Sequence, residues 1–235
     1  MKIAVLSDIH GNIFALKAVL NEMKKQKIEV VFSLGDCVGY YDFGKEVIHA
    51  IDKLKSYSIA GNHERIFLRY LKADQKGKDI ITKKYGQSFE TNSRDFEQPI
   101  IDKIKCLPET RKVTLDGLTF LLCHGSPREK DEYIYPDTLE TNLKITNFED
   151  IDYVFNGHTH YPMIYLGNGL PVINVGSVGQ SRHTGGIANW GMFNTKNKVY
   201  TPQSTLYDVR LLEACLKGKE QSYLYKILRR NNKEQ

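Results

Sequence analysis

Hydrophobic and polar positions alternate along the first quarter of the chain in a way that predicts strands followed by helices. An apolar run over residues 2–7 is followed by apolar positions at helical spacing over 14–23. A second run over 29–34 precedes a helical pattern over 45–54, and residues 56–60 form a third apolar stretch. Strands that alternate with helices indicate an α/β fold, in which helices pack on a sheet with parallel strands.

The pattern changes after the third predicted strand. Residues 64–105 lack a strand signal, and their apolar spacing predicts two or three helices, which we interpret as an insertion. The later part of the chain predicts three hairpins and a further strand, with helices between and after them. In chain order these are a hairpin at 112–123, a helix at 136–146, a strand at 152–156, hairpins at 162–175 and 188–200, and a helical tail at 208–235. We predict one domain over residues 1–235.

Composition excludes several classes of protein. With 41% hydrophobic and 26% charged residues, the chain matches a soluble globular domain rather than a disordered or fibrous one. No run approaches the roughly 20 apolar residues that span a bilayer, and the first apolar run is too short for an export signal. The four cysteines are widely spaced, so we expect reduced thiols and a cytoplasmic protein. Six basic and two acidic residues over 217–235 carry most of the net charge of +5, so the charge gives no firm indication of a nucleic-acid or membrane partner.

Five short polar clusters follow predicted strands, and each contains or adjoins a glycine. In a sheet with parallel strands, the loops at the carboxyl ends converge, so these clusters are expected to meet. Carboxylate, amide and imidazole groups are metal donors, and seven of them exceed what one tetrahedral ion can use. Two ions about 3.5 to 4 Å apart fit if a carboxylate bridges, for which Asp36 is the natural candidate, because a carboxylate can bind one ion through each oxygen. The seven predicted donors are Asp8, His10, Asp36, Asn62, His124, His158 and His160.

In this order and spacing, the motifs resemble those of the calcineurin-like metallophosphoesterases, over about residues 1–190. The motifs are D-x-H (8–10), G-D-x-V-G-Y (35–40), G-N-H-E (61–64), H-G (124–125) and G-H-T-H (157–160). The segment 174–180 resembles the N-P-G-S-V-G-Q loop of the small bacterial and archaeal phosphodiesterase-like branch, with Val175 in place of the proline. The fold that this resemblance implies is a four-layer α/β/β/α sandwich of two facing mixed sheets.

The resemblance also implies roles for the residues. Asp36 would bridge the ions, and His63 would act as general acid or position the phosphoryl oxygens. A hydroxide that bridges the ions would attack phosphorus in line, because two divalent ions lower the pKa of bound water. We expect manganese first, although iron, zinc, nickel or cobalt also suits such donors. One ion would be held by Asp8, His10, Asp36 and His160, and the other by Asp36, Asn62, His124 and His158.

The expected substrate is a phosphoester, and the resemblance alone favours a phosphodiester. A dinucleoside polyphosphate hydrolase or a protein phosphatase stays an alternative. Candidate substrate-binding residues are Arg182, Ser126 and Arg128. The bulky residues over 41–43 are expected to narrow or reshape access to the site. The apolar face of the last predicted helix can pack either on the domain or on a second copy of the chain, so a homo-oligomer stays an alternative to a monomer.

Three other readings of the sequence compete with a phosphoesterase. Residues 39–45 match the G-x-x-x-x-G-K pattern of a P-loop, but Glu46 stands where a serine or threonine should meet magnesium. Cys123 and Arg128 resemble a cysteine-dependent phosphatase, yet four rather than five residues separate them. The third reading is a metal-binding scaffold or sensor on the same fold, which would be expected to lack donors or the acid, whereas all are suitable here.

Overall fold

The computed structural model describes residues 1–138, 148, 150–167, 169–217 and 222–231, which contain ten strands and eight helices. The strands are β1 (Lys2–Leu6), β2 (Val30–Ser33), β3 (Ser56–Ser58), β4 (Thr110–Leu115), β5 (Leu118–Cys123), β6 (Tyr153–Asn156), β7 (Pro162–Tyr165), β8 (Val172–Val175), β9 (Ile187–Asn194) and β10 (Val199–Leu206). The helices are α1 (Ile13–Lys25), α2 (Gly44–Asp52), α3 (Asn62–Lys72), α4 (Gln75–Tyr85), α5 (Ser88–Asp95), α6 (Gln98–Cys106), α7 (Val209–Leu216) and α8 (Ser222–Leu228).

The strands form two mixed five-stranded sheets. The first sheet has the order β10-β9-β1-β2-β3, in which β1, β2 and β3 are parallel. The second has the order β4-β5-β6-β8-β7, in which β5, β6 and β8 are parallel. Each sheet therefore presents three carboxyl strand ends at one edge, and polar loops follow all of them.

An apolar core joins the two sheets. Because side chains alternate across a strand, Ile3 and Val5 of β1 belong to this core, while Ala4 and Leu6 belong to the core beneath α1. Aromatic rings fill the space between the sheets: the centroid of Phe120 lies 5.4 Å from that of Phe32 and 5.2 Å from that of Phe193. The two sheets are thus held face to face, which confirms the predicted α/β fold.

Helices cover the outer face of the first sheet. Buried residues of α1, α2, α7 and α8 share one core with Leu6 and Trp190 of that sheet. On the outer face of the second sheet, Val154 packs with Ile134 and Ile151. The helix predicted at 136–146 falls mostly on residues 139–147, which lie outside the described residues, as does position 168 in the predicted turn of the second hairpin.

Two predictions from the hydrophobic pattern need correction. The stretch 62–106, which is fully described, forms four helices instead of two or three and begins at Asn62. Breaks between them follow local signals: Asp74 caps α4, and Gly86 ends it with a φ of 87°. In the last hairpin, β10 extends to Leu206 rather than residue 200, because residues 201–205 of this edge strand are polar apart from Pro202 and give a weak hydrophobic signal.

The structure also bears on the cysteines and on membrane contact. Cys37, Cys106, Cys123 and Cys215 are free. None of the helices in the described part of the chain combines the length and the apolar character needed to cross a bilayer.

The core between the sheets predicts a large difference between two identical substitutions in strands. Leu122→Ala, at a side chain with no exposure, should lower the free energy of unfolding by about 2–5 kcal/mol because it leaves a cavity. Leu206→Ala, at a side chain that is 67% exposed, should change it by less than about 0.5 kcal/mol. Urea unfolding in the presence of a chelator measures both. Equal losses would contradict the assignment of the core.

Candidate metal centre

The loops that follow the parallel strands of both sheets meet at one place. The backbone N–H of His10 donates to the carbonyl of Asp36 over 2.8 Å, which joins the loops after β1 and β2. The N–H of Gly157 donates to the carbonyl of His124 over 3.0 Å, which joins the loops after β5 and β6. The N–H of His158 donates to Oδ2 of Asp8 over 3.0 Å and connects the two sheets. All seven predicted donors and His63 lie around this junction.

Three histidine rings are oriented by the same kind of hydrogen bond. In His10, His124 and His160, Nδ1 lies within 3.2, 2.7 and 2.7 Å of a backbone carbonyl oxygen. Because a carbonyl oxygen only accepts, Nδ1 carries a proton in each of these rings, and in the neutral form of the ring Nε2 keeps its lone pair. This second contact is the one that fixes metal-binding histidines in their tautomer and orientation. The three carbonyls belong to Val38, Leu34 and Gln180, respectively.

The first group of donor atoms consists of acceptors that face one another. Nε2 of His10 lies 3.0 Å from Nε2 of His160. Oδ1 of Asp8 lies 3.2 Å from Nε2 of His160 and 3.8 Å from Nε2 of His10. Lone pairs at such distances repel unless a cation lies between them, and ligands bound at about 2.0–2.2 Å to one ion lie roughly 3 to 3.6 Å apart. These three residues could hold a metal ion.

The second group surrounds Nε2 of His124. Oδ2 of Asp36 lies 3.3 Å from it, Oδ1 of Asn62 lies 3.0 Å away, and Nδ1 of His158 lies 3.2 Å away. Donor atoms of Asp36, His124 and His158 lie within 4.8 Å of one another, so this second group also fits a cation. In the first group, Oδ1 of Asp8 is buried without a hydrogen-bond partner, which is costly in a protein interior and fits a cation there.

Asp36 lies between the two groups. Its Oδ2 is 3.3 Å from Nε2 of His124 and 3.8 Å from Nε2 of His10. Its Oδ1 accepts a hydrogen bond from the backbone N–H of His63 over 2.7 Å. One carboxylate oxygen therefore faces both groups, whereas the sequence led us to expect one oxygen for each ion. Donor atoms of His63, His10 and Asp36 also lie within 4.8 Å of one another, so His63 is as close to the centre as the other donors.

The backbone at the donors is strained. Asp8, His10, Asp36, His158 and His160 all have φ between 52° and 69°, the left-handed region that side chains other than glycine rarely adopt. Each such residue costs on the order of 1–3 kcal/mol. Aspartate and histidine are among the residues that tolerate this conformation best. The surrounding structure holds these turns so that several side chains point at the same small volume.

The charges of the buried groups balance one another. Burial opposes ionisation of Asp8 and Asp36, but the fields of His160 and His124, respectively, hold the pKa of each carboxyl well below its usual range. Burial would lower the pKa of His124, yet the two carboxylates raise it to about 10. Burial lowers the pKa of His63 to about 4, against the opposing effect of Asp36. The carboxylates are thus ionised and create a strong preference for positive charge at the centre.

Glu64 fixes the geometry of two of these loops, a role that the sequence analysis missed. Its buried carboxylate accepts hydrogen bonds from the backbone N–H groups of Asp36, Cys37 and Gly61, each over 2.7 Å. It thereby ties the loop after β2 to the start of α3, where it supplies the glutamate half of a capping box to Gly61, an N-cap residue without a side chain to complete the motif. The signal was present as a glutamate three residues after the cap, although glycine stands where serine or threonine is usual.

A cavity of about 210 Å³ opens over the donors. Four of its lining residues were not predicted from the sequence. They are Lys84 and Tyr85 of α4, Tyr40 in the loop after β2 and Tyr133 in the loop after β5. No spacing rule marks such residues, because they meet only through the packing of the helices. The lining residues are Asp36, Tyr40, Asn62, His63, Lys84, Tyr85, Tyr133, His158, His160 and Arg182.

The candidate substrate-binding residues divide into two kinds. Arg182 lines the cavity, whereas Ser126 and Arg128 are not among its described lining residues. The hydroxyl of Ser126 accepts hydrogen bonds from the N–H groups of Arg128 and Glu129 over 3.1 and 3.0 Å. The guanidinium of Arg128 pairs with Glu132 over 2.7 Å. Both residues therefore stabilise their own loop.

His63 is held in an aromatic setting at the floor of this cavity. Its ring centroid lies 4.5 Å from that of His10 and 4.7 Å from that of Tyr40. Gly39 makes this packing feasible, since a Cβ there would come within 2.0 Å of Nδ1 of His63, and its φ is 91°. Of the bulky residues over 41–43, none is among the described lining residues of the cavity, and Tyr41 is buried in the core beneath the first sheet.

Two facing sheets with aspartate and histidine donors at their joined carboxyl edges define the class of metallophosphoesterases. The family described as the calcineurin-like phosphoesterase superfamily domain matches residues 1–198, so the chain belongs to this superfamily. The protein MJ0912 of Methanocaldococcus jannaschii is 29% identical over 225 residues, covering 88% of each chain.

Solved structures agree with this assignment. A metallophosphoesterase from Sphaerobacter thermophilus is 25% identical, with a TM-score of 0.78 over 97% of this chain and 98% of that one. The hypothetical protein PH1004 from Pyrococcus horikoshii OT3 shares the fold at 19% identity, with a TM-score of 0.74 over 96% and 94% of the two chains.

The contacts of Glu64 predict a test of its role. Glu64→Gln should lower the affinity for Mn²⁺ by about 10- to 100-fold, because an amide nitrogen would face N–H donors and release the loop that carries Asp36. Isothermal titration calorimetry measures the affinity, and circular dichroism checks the fold. Glu46→Gln, at an exposed position on α2, is the matched control and should bind like the wild type. Equal affinities for the two variants would refute the role of Glu64.

Proposed function

We propose that the protein hydrolyses phosphoesters with the help of two divalent ions. The observation that carries this proposal is the set of acceptor atoms that face one another, in particular the 3.0 Å approach of Nε2 of His10 to Nε2 of His160. No arrangement of protons satisfies such a set as well as cations do. Membership of the superfamily and the cavity above the donors supply the context of a phosphoester reaction.

The donors fit two positions that share Asp36. Oδ2 of Asp36 would contact both ions, while Oδ1 keeps its hydrogen bond to the backbone of His63. When bound, the ions would supply a water of lowered pKa and positive charge for the phosphoryl oxygens. We propose manganese, since oxygen and imidazole donors suit it, with iron, zinc, nickel and cobalt as alternatives. One position comprises Asp8, His10, Asp36 and His160, and the other Asp36, Asn62, His124 and His158.

The remaining cavity residues would bind and orient the ester. His63 would donate either a hydrogen bond to a phosphoryl oxygen or a proton to the oxygen of the departing alcohol. The cations Lys84 and Arg182 would hold the oxygens that do not react, and the planar guanidinium can contact two of them. Tyr40, Tyr85 and Tyr133 line the same space, which favours a phosphate with organic groups on both sides, that is, a diester.

Metal content gives a direct test of the shared carboxylate. The wild type loaded with Mn²⁺ and freed of excess metal should contain two ions per chain by mass spectrometry of the dissolved metals. Asp36→Asn should retain one ion or none, because it weakens both positions at once. Asp79→Asn, an exposed change on α4, should retain two. If Asp36→Asn also kept two ions, the bridging role would be wrong.

Turnover separates an enzyme from a scaffold. The Mn²⁺-loaded protein should hydrolyse bis(4-nitrophenyl) phosphate with a higher kcat/KM than 4-nitrophenyl phosphate. His63→Ala should lower kcat on the diester by about 100-fold or more, whereas His49→Ala, at an exposed histidine of α2, should not. A diester with a poor leaving group distinguishes the two roles of His63. If His63→Ala loses more kcat on that diester than on bis(4-nitrophenyl) phosphate, His63 is a proton donor. If the two losses of kcat are equal, His63 is a positioning group. Two bound ions without turnover of any ester would favour the scaffold.

A further inference from the structure

The end of the chain reaches the candidate site although it lies beyond the matched family domain. That match ends at residue 198, and the described residues after it form β10, α7 and α8. Helix α8 is anchored on the first sheet, because Leu224 and Leu228 are buried in the same core as α1. Arg229 and Glu213 form an ion pair of 2.6 Å that joins α8 to α7. The helix is therefore a fixed support rather than a loose tail.

Residues that follow α8 hold the loop of Arg182. The guanidinium of Arg230 donates from one terminal nitrogen to the carbonyl oxygen of Arg182 over 2.9 Å. The side-chain amide of Asn231 donates to the carbonyl oxygen of His183 over 2.7 Å. In return, the backbone N–H of Gly185 donates to the carbonyl oxygen of Arg230 over 2.7 Å. Three hydrogen bonds thus connect two short segments that are 45 residues or more apart in the chain.

The same helix also contacts the opposite wall of the cavity. The hydroxyl of Tyr223 donates to the carbonyl oxygen of Tyr85 over 3.4 Å, at the end of α4. Its ring lies edge-on to that of Tyr40, with centroids 6.4 Å apart. Tyr40, Tyr85 and Arg182 all line the cavity over the metal donors. Helix α8 and the residues that follow it, all outside the matched family domain, therefore touch three residues that line the cavity.

We propose that Arg230 and Asn231 are positioning residues that hold Arg182 over the metal donors for a phosphoryl oxygen of the substrate. This inference rests on the proposed function, and it assigns the end of the chain to the substrate side of the active site. A guanidinium whose backbone is fixed loses less conformational freedom when the ester binds.

His160 is oriented by the carbonyl of Gln180 in the same loop. That end of the loop has hydrogen bonds of its own, because the hydroxyl of Ser177 and the N–H of Gly179 donate to the carbonyl oxygen of Asp8 over 2.7 and 3.0 Å. The effect of Arg230 and Asn231 therefore falls on substrate binding and leaves the donors in place.

Steady-state kinetics of the Mn²⁺-loaded protein on bis(4-nitrophenyl) phosphate tests this assignment. Arg230→Ala should raise KM about 5- to 20-fold with kcat within about twofold of the wild type, since a binding contact is lost without change at the reacting atoms. Arg230→Lys, which keeps a donor for the carbonyl, should restore most of the affinity. Lys226→Ala removes the same charge from an exposed position of α8 and should leave KM unchanged. Equal KM values for Arg230→Ala and Lys226→Ala would overturn the proposal, as would a fall in kcat alone.

A second measurement needs neither metal nor turnover. Hydrogen–deuterium exchange of the metal-free protein should be faster over residues 182–186 in Arg230→Ala and in Asn231→Gly than in the wild type or Lys226→Ala. Glycine suits position 231, because Asn231 has a φ of 53°. Unchanged exchange in both variants would overturn the positioning role even if no ester were hydrolysed. If exchange over residues 182–186 were faster in both variants but the wild type hydrolysed no ester, the positioning role would stand and the proposed function would be rejected.

Discussion

The main physical constraint on this structure is the repulsion among buried acceptor atoms at the junction of the two sheets. Imidazole nitrogens whose protons point away, together with two ionised carboxylates, face one small volume from which water is largely excluded. Such an arrangement is stable only if positive charge enters it. In the protein without ions, the raised pKa of His124 shows where that positive charge is held. The donors are therefore already arranged for cations in the protein without bound metal.

Holding the donors in this way requires a rigid frame. Five of them have left-handed backbone, and the cost of that strain is met by hydrogen bonds between loops and by the aromatic core between the sheets. Glu64 acts at the centre of the frame, because a single carboxylate ties the loop of Asp36 to the first turn of α3. The same frame leaves one side of the donors open, where residues of α3 and α4 and of the loops after β2, β5, β6 and β8 line the cavity.

Local signals explain how much of the fold could be predicted. Strands β1 and β2 are apolar except for Lys2 and Ser33 and end in polar loops, so their positions follow from the pattern alone. The stretch 62–106 is different, because its helices are short and mostly amphipathic, and spacing does not separate α4 from α5. Strand β10 lies at a sheet edge with alternating exposed residues, and its pairing with β9 defines its length better than its own composition does.

The sequence by itself determined the donor set and the class of fold, since aspartate, histidine and asparagine after strands can be recognised one loop at a time. Tertiary structure decided which oxygen of Asp36 faces both groups of donors, because the backbone of His63 occupies the other oxygen. It also decided that Tyr85 and Arg182 share a cavity with the donors and that α8 supports them. Those contacts join segments far apart in the chain, and no local spacing encodes a distance that only the packing of sheets and helices creates.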